Sequence, residues 1–153
     1  MTRPKIGDLV EIKTAKGFSY ALYTHKHGQY GVLLRIFTKQ YGERPKDLST
    51  VVKDSVQFSC FFPLGAAARQ KIVECVANVG VPEYLRPFPT FRSGMVDSRV
   101  GKVIHWWLWD GEKEWQVGEL SQEQRRLPIR GIWNDTLLIE RIEEGYRAES
   151  DPR

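Results

Sequence analysis

Three sets of residues have side chains suited to chemistry. His25 and His27 stand two apart. In a strand that spacing puts both imidazoles on one face, which is how a metal site could begin. Zinc sites take three or four protein ligands, and no third ligand is signalled nearby, so the pair reads as a solvated strand end. Cys60 and Cys75 lie in no C-x-x-C motif, which argues against zinc and against dithiol redox chemistry. Each sits in an apolar run, where a free cysteine packs as a small hydrophobe. His105 precedes Trp106-Trp107 and is an acid–base candidate, but no nucleophile motif accompanies it. The chain has no Gly-x-x-x-x-Gly-Lys phosphate loop, no strand leading into Gly-x-Gly-x-x-Gly, and no Gly-x-Ser-x-Gly. The expectation is a protein that is not an enzyme and carries no metal or cofactor.

The rings are the stronger signal. Five Trp, six Tyr and seven Phe make up 12% of the chain. Trp is enriched at binding hot spots, yet each Trp also carries enough area that most of the five are needed for core. The N-terminal tyrosines Tyr20, Tyr23 and Tyr30 have two readings. They could stack single-stranded bases while Lys13, Lys16, Lys26 and Arg35 meet phosphates. Alternatively they fill a core, which is favoured because no RNA-recognition consensus is present. The residues expected at a partner surface are Trp106, Trp107, Trp115, Tyr23 and Tyr30, with one sheet face of exposed aromatics as the docking platform.

The elements that must position these residues are mostly strands. Asp8–Lys13, Phe18–Thr24, Tyr30–Phe37 and Ser55–Phe62 are strand-like, with turn signals at intervals near ten residues, as in a sandwich or small barrel. Thr38–Lys53 is polar and reads as a loop with one short helical turn. Ala66–Val79 fits a helix slightly better than a strand by spacing, although Ile72–Val79 is also β-branched. Pro82–Pro89 carries three prolines and is not helical. Val103–Trp109 and Glu114–Val117 flank Asp110-Gly111, a strong hairpin signal that predicts a type I′ turn. Ser121-Gln122-Glu123-Gln124 is a capping box for a short helix that Pro128 stops. Asn134 caps a helix over 135–144, and Gly145 ends it.

The chain has 153 residues, 41% of them hydrophobic and 27% charged, which is the size and composition of a single globular domain. No linker is visible, so one domain over 1–147 is expected, with 148–153 as a flexible tail. Residues 1–76 hold 12 basic and 6 acidic side chains, and residues 77–153 hold 11 and 13. That mild N-terminal excess fits nucleic acid, an acidic protein or no charged partner at all, and the last is favoured because no block of like charges is longer than two. No apolar run approaches ~20 residues, and no secretory h-region is present, so a cytoplasmic protein with reduced thiols and no membrane partner is expected.

The order of the motifs is informative. Lys5-Ile6-Gly7-Asp8-Leu9-Val10-Glu11-Ile12, then Phe18-Ser19-Tyr20-Ala21 and Tyr30-Gly31-Val32-Leu33, open the chain. Val79-Gly80-Val81-Pro82-Glu83-Tyr84-Leu85 and Phe88-Pro89-Thr90-Phe91 follow. Trp109-Asp110-Gly111, Gly131-Ile132-Trp133-Asn134 and Leu138-Ile139-Glu140-Arg141-Ile142 close it. This order resembles the immunity protein 26 family of bacterial toxin–immunity systems over about residues 5 to 146. The resemblance implies a non-catalytic intracellular protein that neutralises a cognate toxin domain by covering it. It also implies that Ile72–Val79 is a strand. The expected fold is mainly β (α+β): an antiparallel twisted sheet or partly open SH3-like barrel with a C-terminal helix. The alternative function is a small basic β-barrel that binds single-stranded nucleic acid.

Overall fold

The computed structural model describes residues 3–153. The chain divides into two compact units. One is built from the residues through Arg86 plus Gly131–Tyr146, the other from Pro87–Arg130 plus Arg147–Arg153. Proline and glycine are spread evenly along the sequence, so no linker composition marks the division. Among the described residues, no helix is long and apolar enough to cross a membrane.

The first unit is an antiparallel sheet of five strands: β1 (Asp8–Thr14), β2 (Gly17–His27), β3 (Gly31–Phe37), β4 (Val56–Phe61) and β5 (Val73–Asn78). Their order is β4-β3-β2-β1-β5. The first four form a meander with short turns at Ala15-Lys16 and Gly28–Tyr30. After a short helix, α1 (Leu64–Arg69), β5 returns to the free side of β1. No pairing among the described residues joins β4 to β5, so the sheet is open and not a closed barrel.

Sequence spacing leaves 66–79 undecided between helix and strand because both are present in series. α1 spends the alanines, Lys71 turns the chain at φ 60°, and the β-branched run then extends as β5. The strand implied for Ile72–Val79 is present.

Both faces of the sheet are covered. On one face Val10, Ile12, Ala21, Leu34 and Ile36 pack with Trp133, Leu138, Ile142 and Tyr146. On the other, Leu9, Tyr20, Leu22 and Phe37 pack with Val51 and Leu85. The first layer includes a C-terminal helix, α2 (Asp135–Glu144). Oδ1 of Asn134 accepts from the Leu137 N–H (2.8 Å), and Gly145 closes the helix at φ 70°. Glu143 opposes the helix dipole in the last turn. Its carboxylate instead accepts the Ala15 N–H (2.7 Å), while its carbonyl accepts from Lys16 (3.1 Å). Burial of Leu138 and Ile142 contributes about 1.5–3 kcal/mol each and holds the helix down.

The second unit has a three-stranded sheet in the order β10-β9-β6, built from β6 (Phe91–Ser93), β9 (Trp106–Trp109) and β10 (Glu114–Gly118). Between them, β7 (Val96–Asp97) and β8 (Lys102–Val103) form a two-stranded ribbon. The hairpin expected at Asp110-Gly111 forms, but its turn differs from the type I′ expectation. Only Gly111 has a positive φ (100°). Asp110 stays in the ordinary region, and its Oδ1 accepts the N–H groups of Glu112 (2.9 Å) and Lys113 (2.8 Å). These side-chain bonds close the four-residue loop 110–113 between β9 and β10. The capping box is reciprocal: Ser121 N–H donates to Gln124 (2.9 Å) and Gln124 N–H to Ser121 (3.1 Å). It starts a single 3-10 turn over Gln124–Arg126.

Residues 148–153, read from the sequence as a tail, carry local structure. They form a 3-10 turn over Ala148–Ser150, and Asp151 is buried. Arg92 accounts for this. It is fully buried and donates to the carbonyls of Leu127, Arg125 and Ala148, with the shortest bond, 2.6 Å, to Ala148.

Candidate partner-binding groove

The two outer strands of the first unit end differently. The free side of β4 is occupied: Phe61 N–H donates to Gly131 O (3.3 Å), and Trp133 N–H donates to Phe61 O (2.9 Å). The free side of β5 meets no strand among the described residues. Alternate N–H and C=O groups of β5 therefore point away from β1 with no ladder to receive them. Beside this edge lies an open groove of about 800 Å³. Val73–Ala77 form one wall, Phe18 and Lys13 contribute from the first hairpin, and Lys71 stands at the end of α1.

An ion-pair cluster joins the groove: Glu11 and Glu74 line it, and Arg44 reaches them from the loop before β4. Glu11 lies on the second core face of β1, where a carboxylate needs partners. Arg44 donates from Nε to Oε2 (2.8 Å) and from Nη2 to Oε1 (3.0 Å), and the same Nη2 reaches Glu74 on β5 (2.7 Å). The Tyr20 hydroxyl completes the set by donating to Oε2 (2.7 Å). The Arg44 hydrogen bonds hold the Glu11 carboxyl below its ordinary range, against the opposing pull of burial. Burial first, and then the bond to Glu11, push the Tyr20 hydroxyl up, so it remains a donor.

A group whose folded pKa is depressed stabilises the fold above its unfolded pKa, near 4.5 for Glu11, and loses that contribution as pH falls through the folded value. Glu11→Gln is therefore expected to be less stable than the parent at pH 7 by about 1–2 kcal/mol, the scale of charge-assisted hydrogen bonds. The gap should close as the pH falls below about 4.5 and through the depressed folded value. Urea midpoints of both proteins across that range check this, and a gap that stays constant with pH would refute it.

The cations of the groove itself stand outside this cluster. Arg3, Lys5, Lys13 and Lys71 line it and are exposed, and none is ion-paired among the described residues. Asp8, the remaining acid there, is internally engaged by the Lys5 N–H (2.9 Å) and the Asn78 amide (3.0 Å). The groove therefore presents uncommitted positive charge beside carboxylates that already have partners.

The residues expected at a partner surface are scattered by the structure. Tyr23 is 4% exposed and Trp106 3% exposed. Tyr23 belongs to the first core layer, and Trp106 lies beneath the Arg92 guanidinium at 4.6 Å. Neither is available to a partner, because each is the inward residue of a sheet covered on that face. Tyr30 is half-buried against Phe61, ring centroids 5.2 Å apart. Trp107 (37% exposed) and Trp115 (41%) do reach the surface. Trp115 is the cross-strand partner of Leu108, and Trp107 that of Gln116, so the two indoles lie on opposite faces of the hairpin. They do not form one aromatic platform.

The other chemical candidates have structural partners. His25 contacts Thr24 Oγ1 (2.8 Å) and Arg86 O (2.7 Å), and burial lowers its pKa. Nδ1 of His27 accepts the N–H groups of Gln29 (3.1 Å) and Tyr30 (3.2 Å). Burial pushes the Cys75 thiol up to about 11 and raises that of Cys60 as well, which keeps both protonated at neutral pH. Tyr20 is fully buried, Arg35 is buried with its pKa pushed down to about 10 by desolvation, and Lys16 is bound to Glu143. Of the residues considered for nucleic acid, Lys13, Lys16 and Lys26 are exposed.

Sequence reasoning missed Glu74, Lys71 and Val76 in this groove, and Arg44, which pairs with its carboxylates. The only available signal was Glu11, a charged residue in a strand whose neighbours Leu9 and Val10 are core. It asks for a counter-ion but does not say that one arrives from 33 residues away. Comparison with protein-family models, with curated proteins and with solved structures finds no match to this chain.

Proposed function

We propose that the chain is a non-catalytic, cytoplasmic, immunity-type protein that neutralises a cognate toxin domain by covering it. The observation that carries this reading is the open β5 edge with its pre-formed cationic groove, the kind of surface that receives another chain. The motif order over about residues 5 to 146 supports the same class. So does the state of the titratable groups: the imidazoles of His25 and His27 are held in local hydrogen bonds, and the thiols are kept protonated by burial. The nucleic-acid reading loses support because Tyr20 and Tyr23, two of its three stacking candidates, are core residues.

The test uses the product of the neighbouring gene, which this reading expects to carry the toxin domain. Cells producing that domain are expected to survive when the chain is co-expressed, and the two proteins should co-elute as one complex. Unchanged killing with no complex would overturn the proposal.

A further inference from the structure

The same groove also carries information about how a partner binds and what charge it brings. β5 spans six residues, ~20 Å at ~3.3 Å per residue. Hydrogen bonds mark the two ends of the strand: Ile72 N–H donates to Ala67 O in α1 (2.9 Å), and Val79 N–H continues the β1 side of the ladder at Gly7 O (2.9 Å). Between those anchors the outward backbone groups have no partner among the described residues. Proteins usually blunt such an edge with lysine or proline. The strand Val-Glu-Cys-Val-Ala-Asn has neither, and its one charge, Glu74, is drawn toward Arg44. An edge left open in this way is a template for a further strand.

Charge selects the occupant. Glu11 and Glu74 are engaged by Arg44, and Asp8 by Lys5 and Asn78. The uncommitted side chains are the cations Arg3, Lys5, Lys13 and Lys71. A second copy of the chain would bring the same cations to the same edge, and like charges across a new strand pair are unfavourable. Resting on the binding reading above, we propose that the partner docks by strand addition. An extended acidic segment of about six residues pairs with β5, and its carboxylates meet Lys13 and Lys71 at one end of the groove and Arg3 and Lys5 at the other.

Three synthetic probes test this with the full, isotope-labelled chain: a capped octapeptide alternating glutamate and valine, its lysine–valine counterpart, and the glutamate–valine peptide N-methylated at every residue. The acidic probe is expected to shift the Val73–Asn78 amide resonances and slow their exchange. Its affinity should fall about tenfold in the chain carrying Lys13→Glu and Lys71→Glu together, two exposed sites where charge reversal spares the core. The lysine probe and the N-methylated probe should leave these amides unchanged. Equal binding of the N-methylated probe, shifts confined to other strands, or no shift at all would overturn strand addition. So would a concentration-dependent dimer that already protects the β5 amides. The two proposals fail separately. A chain that neutralises its toxin while the β5 amides stay unperturbed in the complex keeps the immunity reading and loses strand addition. A chain that takes up the acidic probe at β5 but neutralises nothing does the reverse.

Discussion

Arg92→Ala is expected to destabilise the second unit by about 3–4 kcal/mol. The guanidinium is fully buried and donates to three backbone carbonyls, at Leu127 (3.1 Å), Arg125 (3.3 Å) and Ala148 (2.6 Å). Hydrogen bonds to a charged group contribute about 1.5–3 kcal/mol each, offset by the desolvation of the cation. Truncation also removes the group packed over Trp106 and leaves acceptors without their donor. Arg92→Lys should recover little, because one ammonium cannot reproduce a planar fork that reaches three directions. Urea unfolding followed by tryptophan fluorescence gives the number. Hydrogen exchange should show the Ala148–Ser150 turn released first. A loss below about 1 kcal/mol would mean that this arginine does not hold the C-terminal residues.

Gly17→Ala is the second large effect, at about 3 kcal/mol or more. Gly17 has φ 122°, a region that side chains rarely enter. An added Cβ would also overlap the carbonyl oxygen of Tyr41, which is backbone and cannot swing aside. That contact exists because Phe18 and Tyr41 exchange two backbone hydrogen bonds, 2.7 and 2.8 Å, which fasten the 38–47 loop to the first hairpin. The same loop delivers Arg44 to Glu11 and Glu74. The substitution should therefore do more than lower the urea midpoint. It should also remove the acid-range stability contribution of Glu11, so Gly17→Ala and Glu11→Gln combined should cost less than their separate effects added. Full additivity would show that the loop keeps Arg44 in place without this turn.

Local signals predicted well where the structure is decided locally. The first strands, the cap at Asn134, the stop at Gly145 and the reciprocal Ser121–Gln124 box all rest on contacts within a few residues. The Asp110-Gly111 hairpin was legible for the same reason, although the exact turn was not. Asp110 can close a loop with its side chain as readily as with its backbone, and only the loop length distinguishes the two. Residues 66–79 were ambiguous because a helix period and a strand period overlap there. Lys71 at positive φ, the junction that separates them, has no strong sequence signature.

By itself the sequence determined that this protein is mainly β with a capped C-terminal helix, because alternation, turn residues and caps act over a few positions along the chain. Burial was decided only in three dimensions. Trp106 and Trp107 are adjacent and chemically identical, yet the first lies under Arg92 while the second faces out; on the second's own face Trp109 is covered by Phe88 and Phe91, so cover is decided residue by residue. The open side of β5 and the capture of Glu11 and Glu74 by Arg44 likewise appear only once distant segments meet. A strand edge and an ion pair are relations between residues some thirty or more positions apart, and no local pattern encodes which of them will be neighbours.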